Sequence, residues 1–565
     1  MNNVVTADGK RWSWGTSALL IALVMTMPTL VVILLGRGTA TPVVWVRTAM
    51  AGFPQGPANF STVYTKTAHD KLHGGLLVEG FDEESCNSRY KSAMYRRNPG
   101  RRPSEYLVSK LRRHEALQRR CGPGTAAYAD ALAQLRSGKN ACASPPECKY
   151  LVSLSYRGLG NRILATASAF LYALLTGRVL LVDPSNDMDA LFCEPFPNTS
   201  WLLPPGFPLW DRSFDLGTPE RYGKMRESGV LRPDVNVTSG GSTPAAAADT
   251  LPAFAYVHLD YNQTDYDQLF FCDEDQWRLL PSFQWLVMRT DSYIVPGLFL
   301  VPAFQEELDA MFPERDAVFH HLGRYLFHPT NHVWGLVTRY HDAYLAGAAR
   351  RVGIQVRVFP WEPESPELLE RITRCTQEEA GLLPRVLDTE QPAAAVTTTA
   401  ATAAGRGGVK SSAAVVITSL KAWYYEQVKG MYWENAAADG EVVVVSQPSH
   451  EEYQHYGVKS HEYKAWAEIY LLSLTDALVT TGKSTFGYVA QGLAGMRPWV
   501  LLLNQANGTA GSNRPCSRDI SMEPCFHVAP PYDCKKRGDS GTIVPHVRHC
   551  EDVPTGLKLV DRKEW

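Results

Sequence analysis

The sequence has no marked excess of charge, and this absence excludes one broad class of protein. Lysine and arginine together number 56, against 58 aspartate and glutamate residues, which gives a formal net charge of -2 at pH 7. Nucleic-acid-binding domains usually carry a strongly basic face. The charge balance therefore indicates no nucleic-acid partner.

Zinc-type cysteine spacing and a complete phosphate-binding loop are also missing. The eleven cysteines form no C-x-x-C pair, and no nearby paired histidines accompany them. Disulfide bonds in an oxidising compartment therefore explain them better than zinc. The GKS of residues 482–484 lacks the first glycine of a P-loop, because Ala477 occupies that position. This departure argues against a nucleotide kinase.

An apolar segment is present near the N-terminus. Residues 15–35 are uncharged and mostly apolar, and a helix of this length crosses a bilayer core of about 30 Å. Lys10 and Arg11 precede the segment, which places residues 1–14 in the cytosol by the positive-inside tendency. We expect a transmembrane signal-anchor over residues 15–36 and a lumenal body after Arg37. A cleaved secretory signal is the alternative.

Glycosylation acceptors and clustered cysteines agree with a lumenal body. Five N-x-S/T sequons stand at Asn59, Asn198, Asn236, Asn262 and Asn507. Four cysteines crowd the last fifty residues, at Cys516, Cys525, Cys534 and Cys550. Because the total is odd, at least one thiol is expected to stay unpaired.

The chain length and texture predict an α/β protein with two lobes. After a Gly/Pro-rich stem (37–80), alternating strands and helices start near Tyr150 and resume after residue 335. We predict an N-terminal lobe (81–335), a C-terminal lobe (336–510) and a Cys-rich tail (511–565) that packs on the lobes. Two low-complexity inserts, 238–250 and 391–414, lack the apolar mass for a core. Tandem α/β units are typical of nucleotide-sugar transferases, with the ligand between the lobes.

The first chemical motif is the glycine turn of residues 157–162. It follows a predicted strand (150–155) and opens a predicted helix (163–175), which makes a natural anion site. Only half of the dinucleotide fingerprint G-x-G-x-x-G is met, although Asp183 stands where a ribose-binding acid would be. Asn161 and Arg162 favour a sugar or phosphate contact. An NAD-dependent oxidoreductase, or glycines that serve only the turn, are the alternatives.

The second motif is a charged residue in an apolar strand, predicted over residues 354–359. Side chains alternate along a strand, so Gln355 and Arg357 share one face. A buried guanidinium is costly unless it is paired or reaches a ligand, and it can grip a diphosphate with two parallel hydrogen bonds. A structural carboxylate partner is the alternative.

The third motif joins a strand (478–480) to a helix that starts near Ser484. Hydroxyl groups and free backbone N–H groups at a helix start suit phosphate oxygens. A plain helix cap is the alternative.

The fourth motif contains an acid that could serve the acceptor. Asp291 stands in the stretch of residues 289–296, and a carboxylate beside the sugar could orient or deprotonate an acceptor hydroxyl; a turn-stabilising aspartate is equally compatible. The downstream pair His320-His321 is expected to be structural, because no third ligand stands at metal spacing.

Together these stretches resemble the plant xyloglucan fucosyltransferase family from about Tyr150 to Leu503. The strings that carry the resemblance include YRGLGNRILATASAFLYALLTGRVLLVD, HLGRYLFHPTNHVWGLVTRYHDAYLAGAARRVGIQVRVF and TDALVTTGKSTFGYVAQGLAGMRPWVLL. The resemblance implies a type II Golgi membrane protein with a GT-B-like fold of two Rossmann-like lobes. It implies transfer from GDP-fucose with inversion and without a required metal.

The resemblance also implies roles for particular residues. Arg357 would face the GDP diphosphate. The donor pocket would be completed by Gly160, Asn161, Arg162, Gln355, Ser484, Thr485 and Phe486. Related fucosyltransferases often carry His where this chain has Gln355, so a His-mediated contact does not carry over.

The expected partners are GDP-fucose, a galactosylated wall polysaccharide and the Golgi membrane, with no nucleic acid. O-2 of galactose on xyloglucan is the first expectation for the acceptor. Arabinogalactan or another wall glycan is the alternative, as is an inactive relative that only binds glycan. A homodimer or a complex with other wall glycosyltransferases stays open.

Overall fold

The described part of the chain lies in its larger compact unit. The computed structural model describes residues 70–96, 100–139, 146–233, 251–387, 412–455, 457–501, 514–530, 534 and 545–561. The chain divides into the units Met1–Ala68 and His69–Trp565, and the described residues all belong to the second. The predicted cytosolic tail, signal-anchor, most of the stem and nearly all of both low-complexity inserts lie outside these residues.

Four parallel strands form the first sheet, in the spatial order β2-β1-β4-β3. They are β1 (Tyr150–Ser153), β2 (Val179–Val182), β3 (Phe254–Leu259) and β4 (Trp285–Thr290). Every residue in them is buried except Arg289. Strands of a parallel sheet are covered on both faces, which explains apolar runs such as VLLV. The predicted parallel α/β unit starting near Tyr150 is therefore confirmed.

The described residues of the first half also form helices. They are α1 (Asn87–Lys91), α2 (Glu105–Cys121), α3 (Ala126–Arg136), α4 (Leu159–Thr176), α5 (Met188–Leu191), α6 (Tyr222–Glu227), α7 (Asp265–Gln268), α8 (Val295–Leu298), α9 (Gln305–Met311), α10 (Val318–Leu326) and α11 (Asn331–Tyr340). A π-helical turn, His341–Leu345, prolongs α11. The predicted lobe boundary at 335/336 falls inside α11.

Helix α4 joins β1 to β2 and fills the centre of the first half. Gly177 ends it in the left-handed conformation (φ 61°), as the sequence predicts. The helix begins at Leu159, four residues before the predicted start, so Gly160 belongs to its first turn. Among the described residues it alone is long and apolar enough to span a membrane, but it is 83% buried in the protein. It is therefore a core helix.

The second sheet has six strands in the order β10-β9-β8-β5-β6-β7. These are β5 (Arg350–Val356), β6 (Ser412–Ser419), β7 (Val442–Ser446), β8 (Ala477–Thr481), β9 (Trp499–Leu501) and β10 (Ser517–Arg518). All pairings are parallel except that of β9 with β10. Strand β6 includes residues 412–414, which the prediction assigned to the second insert. Strand β5 ends at Val356, three residues before the predicted end, because its pairing with β6 stops there.

Four helices accompany the second sheet: α12 (Pro366–Arg374), α13 (Ala422–Glu434), α14 (Lys459–Ser473) and α15 (Thr485–Ala494). Helix α15 packs against both α4 and α10, and Phe319 of α10 occupies the space that the missing side chain of Gly492 leaves. The largest apolar cluster thus joins both halves, through residues such as Leu164, Trp466 and Leu493. Full burial of one such side chain stabilises the fold by about 1.5–3 kcal/mol.

The C-terminal segment returns to both halves of the protein. It contains the antiparallel pair β11 (Val547–His549) and β12 (Leu557–Leu559). The buried Glu523 accepts hydrogen bonds from the Tyr293 hydroxyl (2.7 Å) and from the Phe319 backbone N–H (2.8 Å) at the start of α10. The Gln263 side chain donates to the Val528 carbonyl oxygen (2.8 Å).

Five disulfide bonds connect the described residues. They are Cys86–Cys193, Cys121–Cys148, Cys272–Cys534, Cys375–Cys516 and Cys525–Cys550. Two of them fasten the C-terminal segment to the first half and to the second half. The eleventh cysteine, Cys142, lies outside the described residues.

Candidate active site

The glycine turn after β1 lies directly against the start of α15. A Cβ atom on Gly160 would lie 2.7 Å from the Thr485 hydroxyl oxygen and 3.0 Å from the Phe486 backbone nitrogen. Both distances are shorter than a normal van der Waals contact, so this approach requires glycine. The sequence predicted two separate donor-site motifs here, and the structure brings them together.

Asn161 connects three segments at this point. Its side-chain amide nitrogen donates to the Asp291 carbonyl oxygen (2.7 Å), which follows β4. Its amide oxygen accepts from the Thr485 hydroxyl (3.2 Å) at the start of α15. Asn161 therefore fixes the acid-bearing loop of the first half against the second half.

Arg162 does not belong to the donor pocket in this structure. Its side chain is 1% exposed and pairs with Glu462 of α14 (2.6 Å), and it also donates to the Asn186 carbonyl oxygen. A buried ion pair of this kind holds elements together. The expectation of a phosphate or sugar contact is corrected here, because the guanidinium is enclosed by protein partners.

Gln355 and Arg357 lie at the carboxyl end of β5, in the middle of the second sheet. Gln355 is buried, and its amide oxygen accepts from the Thr480 hydroxyl of β8 (2.7 Å). Arg357 is the first residue after the strand and is partly buried, rather than lying inside a buried strand as predicted. Its backbone N–H donates to the Thr481 hydroxyl (2.8 Å), and its guanidinium lies 4.2 Å from the centre of the Phe359 ring.

The start of α15 stands at the same edge of the sheet, since β8 leads into it. Ser484 is buried and caps the helix by accepting from the Gly487 N–H (3.4 Å). The helix cap that the sequence offered as the alternative role is therefore present. Thr485 and Phe486 are partly buried in the first turn. The positive end of the helix dipole and the Arg357 guanidinium thus follow neighbouring strands, which is a suitable arrangement for a diphosphate.

The loop before α15 is held by the C-terminal segment. Lys483 has a positive φ of 60°, and its backbone N–H donates to the Asp552 carboxylate (2.7 Å). The Tyr488 hydroxyl also donates to Asp552 and contacts His527 Nε2 (3.2 Å). These contacts fix the turn that the sequence places at the donor site.

Asp291 lies among charged groups at the carboxyl end of the first sheet. Arg157 Nε is 3.9 Å from Asp291 Oδ2, and the Ser292 hydroxyl donates to Asp291 Oδ1 (3.2 Å). Burial, followed by contact with the Asp260 carboxylate, raises the pKa of Asp291 to about 7. A carboxyl group with such a pKa is suited to exchanging a proton near neutral pH.

The sequence prediction missed Asp260 and the ring system beside it. Arg289 lies 3.7 Å from the centre of the Tyr156 ring, while Arg157 lies 4.9 Å from the ring centres of both Tyr156 and Tyr261. The available signal was that Asp260 directly follows an apolar strand, as Asp291 does. Without the strand order, the sequence could not show that these two strands are neighbours.

Two further sequence features have structural roles. Asp183 accepts from the N–H groups of Ser155 (3.2 Å) and Ser185 (2.9 Å) and so stabilises the loop after β2. His320 and His321 are buried, and burial lowers the pKa of His321 to about 4. The predicted structural role of the histidine pair fits this burial.

One cluster of the described residues has the geometry of a metal site, formed by Cys525, Cys550 and Asp552. Its two sulfur atoms form a disulfide bond with each other. They are therefore not thiolate ligands, and this donor set does not fit a metal ion.

In comparisons with known proteins, most of the chain matches a single protein family. The family model described as xyloglucan fucosyltransferase matches residues 51–535. The galactoside 2-alpha-L-fucosyltransferase of Pisum sativum is 50% identical over 498 residues, which cover 87% of this chain and 82% of the pea protein. The Arabidopsis thaliana protein of the same name is 49% identical over 501 residues, covering 88% of this chain and 84% of that protein.

A solved structure agrees with these sequence matches. A mutant of Arabidopsis thaliana FUT1 in complex with GDP is similar to this chain with a TM-score of 0.75 and 48% sequence identity. The match covers 87% of this chain and 100% of that chain. The mixed α/β architecture with parallel sheets is therefore shared.

Proposed function

This chain belongs to the xyloglucan fucosyltransferase family, and we propose on this basis that it transfers L-fucose from GDP-fucose to O-2 of galactose in a cell-wall glycan, with xyloglucan as the first candidate. The observation that carries the proposal is the family match, because residues 51–535 include every candidate site residue. The enzyme is a galactoside 2-alpha-L-fucosyltransferase. Inversion of the β-linked donor gives an α-fucosyl product.

The donor half of the site neutralises the leaving group. As the bond between fucose C1 and the phosphate oxygen breaks, its electron pair stays with GDP and negative charge grows on the diphosphate. Arg357 offers a planar fork of N–H donors to these oxygens, and the first turn of α15 offers backbone N–H groups. Gly160 and Asn161 hold that turn in place. Groups aimed at developing charge contribute more to the rate than groups that only bind the substrate.

The acceptor half of the site supplies a base. The galactose hydroxyl attacks fucose C1 from the face opposite GDP and must lose its proton. Asp291 is the proposed recipient, since its carboxyl group is partly buried at the strand ends of the first sheet and its backbone is bonded to Asn161. The two halves act together because Asn161 and Thr485 connect them.

The proposed location is the Golgi membrane, with one N-terminal helix and a lumenal catalytic body. Support comes from the apolar residues 15–35 that follow Lys10 and Arg11, and from the five disulfide bonds, which are typical of an oxidising compartment. The sequon residues Asn198 and Asn262 are both exposed. We propose that the transfer requires no metal ion.

The test is transfer of labelled fucose from GDP-fucose to a panel of wall polysaccharides by sealed microsomes that carry the full chain, with EDTA present. We expect incorporation into galactosylated xyloglucan only after detergent opens the vesicles, because an external polysaccharide cannot reach a lumenal site. Incorporation into arabinogalactan alone would change the acceptor and keep the mechanism. Absence of transfer to every acceptor, with GDP still bound, would reject the enzymatic proposal in favour of an inactive relative.

Activity without detergent would contradict the lumenal location. Loss of activity in EDTA that added metal restores would contradict metal independence. A chain with Arg357→Ala serves as the control for background incorporation.

A further inference from the structure

Two neighbouring strands of the first sheet are each followed directly by an aspartate, and the two aspartates lie side by side. Strands β3 and β4 pair in parallel with Leu259 opposite Thr290. The next residues, Asp260 and Asp291, therefore leave the sheet at the same level, which makes their side chains neighbours. The Asp260 side chain is 0% exposed, whereas that of Asp291 is 14% exposed. Of the two, only Asp291 is open to a substrate.

The two carboxyl groups have different partners. Asp260 Oδ2 lies 2.9 Å from Arg289 Nη2, and Asp260 Oδ1 accepts from the Tyr261 backbone N–H (3.0 Å). Asp260 thus accepts from a cation and from a backbone donor. The nearest cation to Asp291 is Arg157 at 3.9 Å, which is a weaker contact. Because the pKa of Asp291 is raised, the proton of the pair resides on Asp291.

We infer that Asp260 is a positioning residue for Asp291: it accepts a hydrogen bond from the protonated Asp291 and so sets the pH above which Asp291 can take the proton of the acceptor hydroxyl. The inference rests on the proposed function. In the step itself, the acceptor O–H proton moves to an Asp291 oxygen, the acceptor oxygen bonds to fucose C1, and the bond from C1 to GDP breaks. Asp260 exchanges nothing with the substrate.

The physical reason is repulsion between like charges in a buried place. Two carboxylates in contact are costly to ionise together, so one keeps its proton to a higher pH. Burial is the largest cause of the raised pKa of Asp291, and Asp260 is the next. A base whose pKa is close to the working pH is strong enough to accept the proton and still mostly free to do so.

Other charged and titratable groups face the pair. The charged and titratable groups that face it are Arg157 from the β1–α4 loop, Tyr156 beside it, Tyr256 and His258 from β3, and Arg289 from β4. Burial lowers the pKa of His258 and raises that of Tyr256. Neither side chain therefore gains a charge near neutral pH.

The test is the pH dependence of kcat/KM for the acceptor at saturating GDP-fucose. Wild-type activity should rise through an apparent pKa near 7, the value for Asp291. The double variant Asp260→Asn/Arg289→Gln removes both charges of the buried pair, so that neither remains unpaired. We expect this double variant to move the rising limb of the kcat/KM pH profile to lower pH by about one unit or more. If Asp260 had only a structural role, the variant would lower the rate and leave the rising limb at the same pH.

A matched control is available in the same half of the protein. Arg221 and Asp267 form another buried ion pair (3.1 Å), and the main causes of the raised pKa of Asp291 are burial, Asp260, Ser292 and Arg157 rather than Asp267. The variant Asp267→Asn/Arg221→Gln should leave the limb unmoved. A limb that stays in place in the Asp260 variant, or that moves equally in the control, overturns the inference.

A second measurement does not depend on transfer or on folding of the Asp260 variant. The contribution of Asp291 to wild-type thermal stability should fall as the pH rises from about 4 to about 7, because Asp291 keeps its proton only in the folded state. The variant Asp291→Asn can donate its amide N–H to Asp260 permanently and should lose that part of the pH dependence. An identical pH dependence in both proteins overturns the inference. Absence of wild-type transfer would reject the proposed function, whereas this comparison would still decide the shared proton.

Discussion

Arg357 is the side chain on which the donor half of the mechanism depends. The variant Arg357→Lys keeps the positive charge but loses the planar pair of N–H donors, so it should bind a diphosphate as a point charge only. We expect kcat to fall by about 10²-fold, in the range seen when one oriented donor is removed, while the thermal stability changes little because the side chain is partly exposed. Steady-state kinetics with GDP-fucose and calorimetry check both parts.

A control for this substitution is Arg371→Lys on α12, where the arginine pairs with Glu367 one helical turn away. This exposed pair contributes little, and kcat should stay at the wild-type value. If Arg357→Lys retained full kcat and only raised KM, Arg357 would serve binding alone and not stabilisation of the leaving group.

Individual residues also show where prediction from sequence stops. Arg357 could be singled out because a charge inside an apolar strand needs a partner, although the strand in fact ends at Val356. Arg162 looked equivalent, yet its partner Glu462 lies 300 residues away in the sequence, and no local pattern reveals such a pair. Asp260 was missed for the opposite reason: its partner Asp291 is on a neighbouring strand, and strand order is a property of the whole fold.

At the scale of elements, the contact between the glycine turn and α15 gives a direct prediction. The substitution Gly160→Ala would place a methyl group 2.8 Å from the Thr485 backbone carbon, and backbone cannot move as a flexible side chain does. We expect a destabilisation of about 1–3 kcal/mol from overpacking, and weaker GDP binding because the first turn of α15 is displaced. Thermal unfolding and GDP titration measure the two effects.

The control is Gly347→Ala, because nothing lies within 4 Å of a Cβ atom at that position. This variant should match the wild-type protein in both measurements. A Gly160→Ala protein with unchanged GDP affinity would show that the start of α15 does not form part of the donor site.

The central elements were predictable because their patterns are local. Runs of apolar residues marked β1 and β8, and Ser484 marked the start of α15. The predicted ends of the helices and strands were less exact. Helix α4 starts earlier than predicted, since Gly158 rather than the second glycine precedes its first turn, and β5 ends earlier because its partner strand ends there.

For the whole molecule, buried titratable groups predict a stability plateau between about pH 4.5 and pH 6.5. Burial raises the pKa of Glu523 to about 8 and that of Glu468 to about 7. These carboxyl groups stabilise the fold fully below their unfolded values near 4.5, and the contribution is lost as the pH rises to 7–8. Burial lowers the pKa of His73 and His114 to about 3, so their contribution is complete above about pH 6.5 and is lost as the pH falls to about 3. The two opposite changes offset each other across the plateau, and thermal unfolding should show lower stability on either side of it.

The variant Glu523→Gln should flatten the alkaline side of that profile, because it removes the group with the highest of these carboxyl pKa values. Glu434→Gln, at the exposed end of α13, should leave the profile unchanged. A melting temperature that continues to rise above pH 7 would contradict this account.

The two α/β halves could be predicted at this scale, but the path of the C-terminal segment could not. Cysteine counting suggested that the last fifty residues are bonded, and it did not show that Cys534 reaches Cys272 across 262 residues. Likewise, nothing in the local sequence marks Glu523 as the partner of the Phe319 N–H. Such contacts depend on which surfaces remain open after the two sheets have formed.

The return of the C-terminal segment has a consequence for biosynthesis. The first half of the protein emerges from the ribosome long before Glu523 and Cys534, so α10 lacks its carboxylate partner and Cys272 its disulfide partner until translation is almost finished. The nascent chain therefore stays partly packed until its last residues have been made. A premature stop codon before Met522 would remove both connections at once, and such an allele should behave as a null, with the truncated chain degraded.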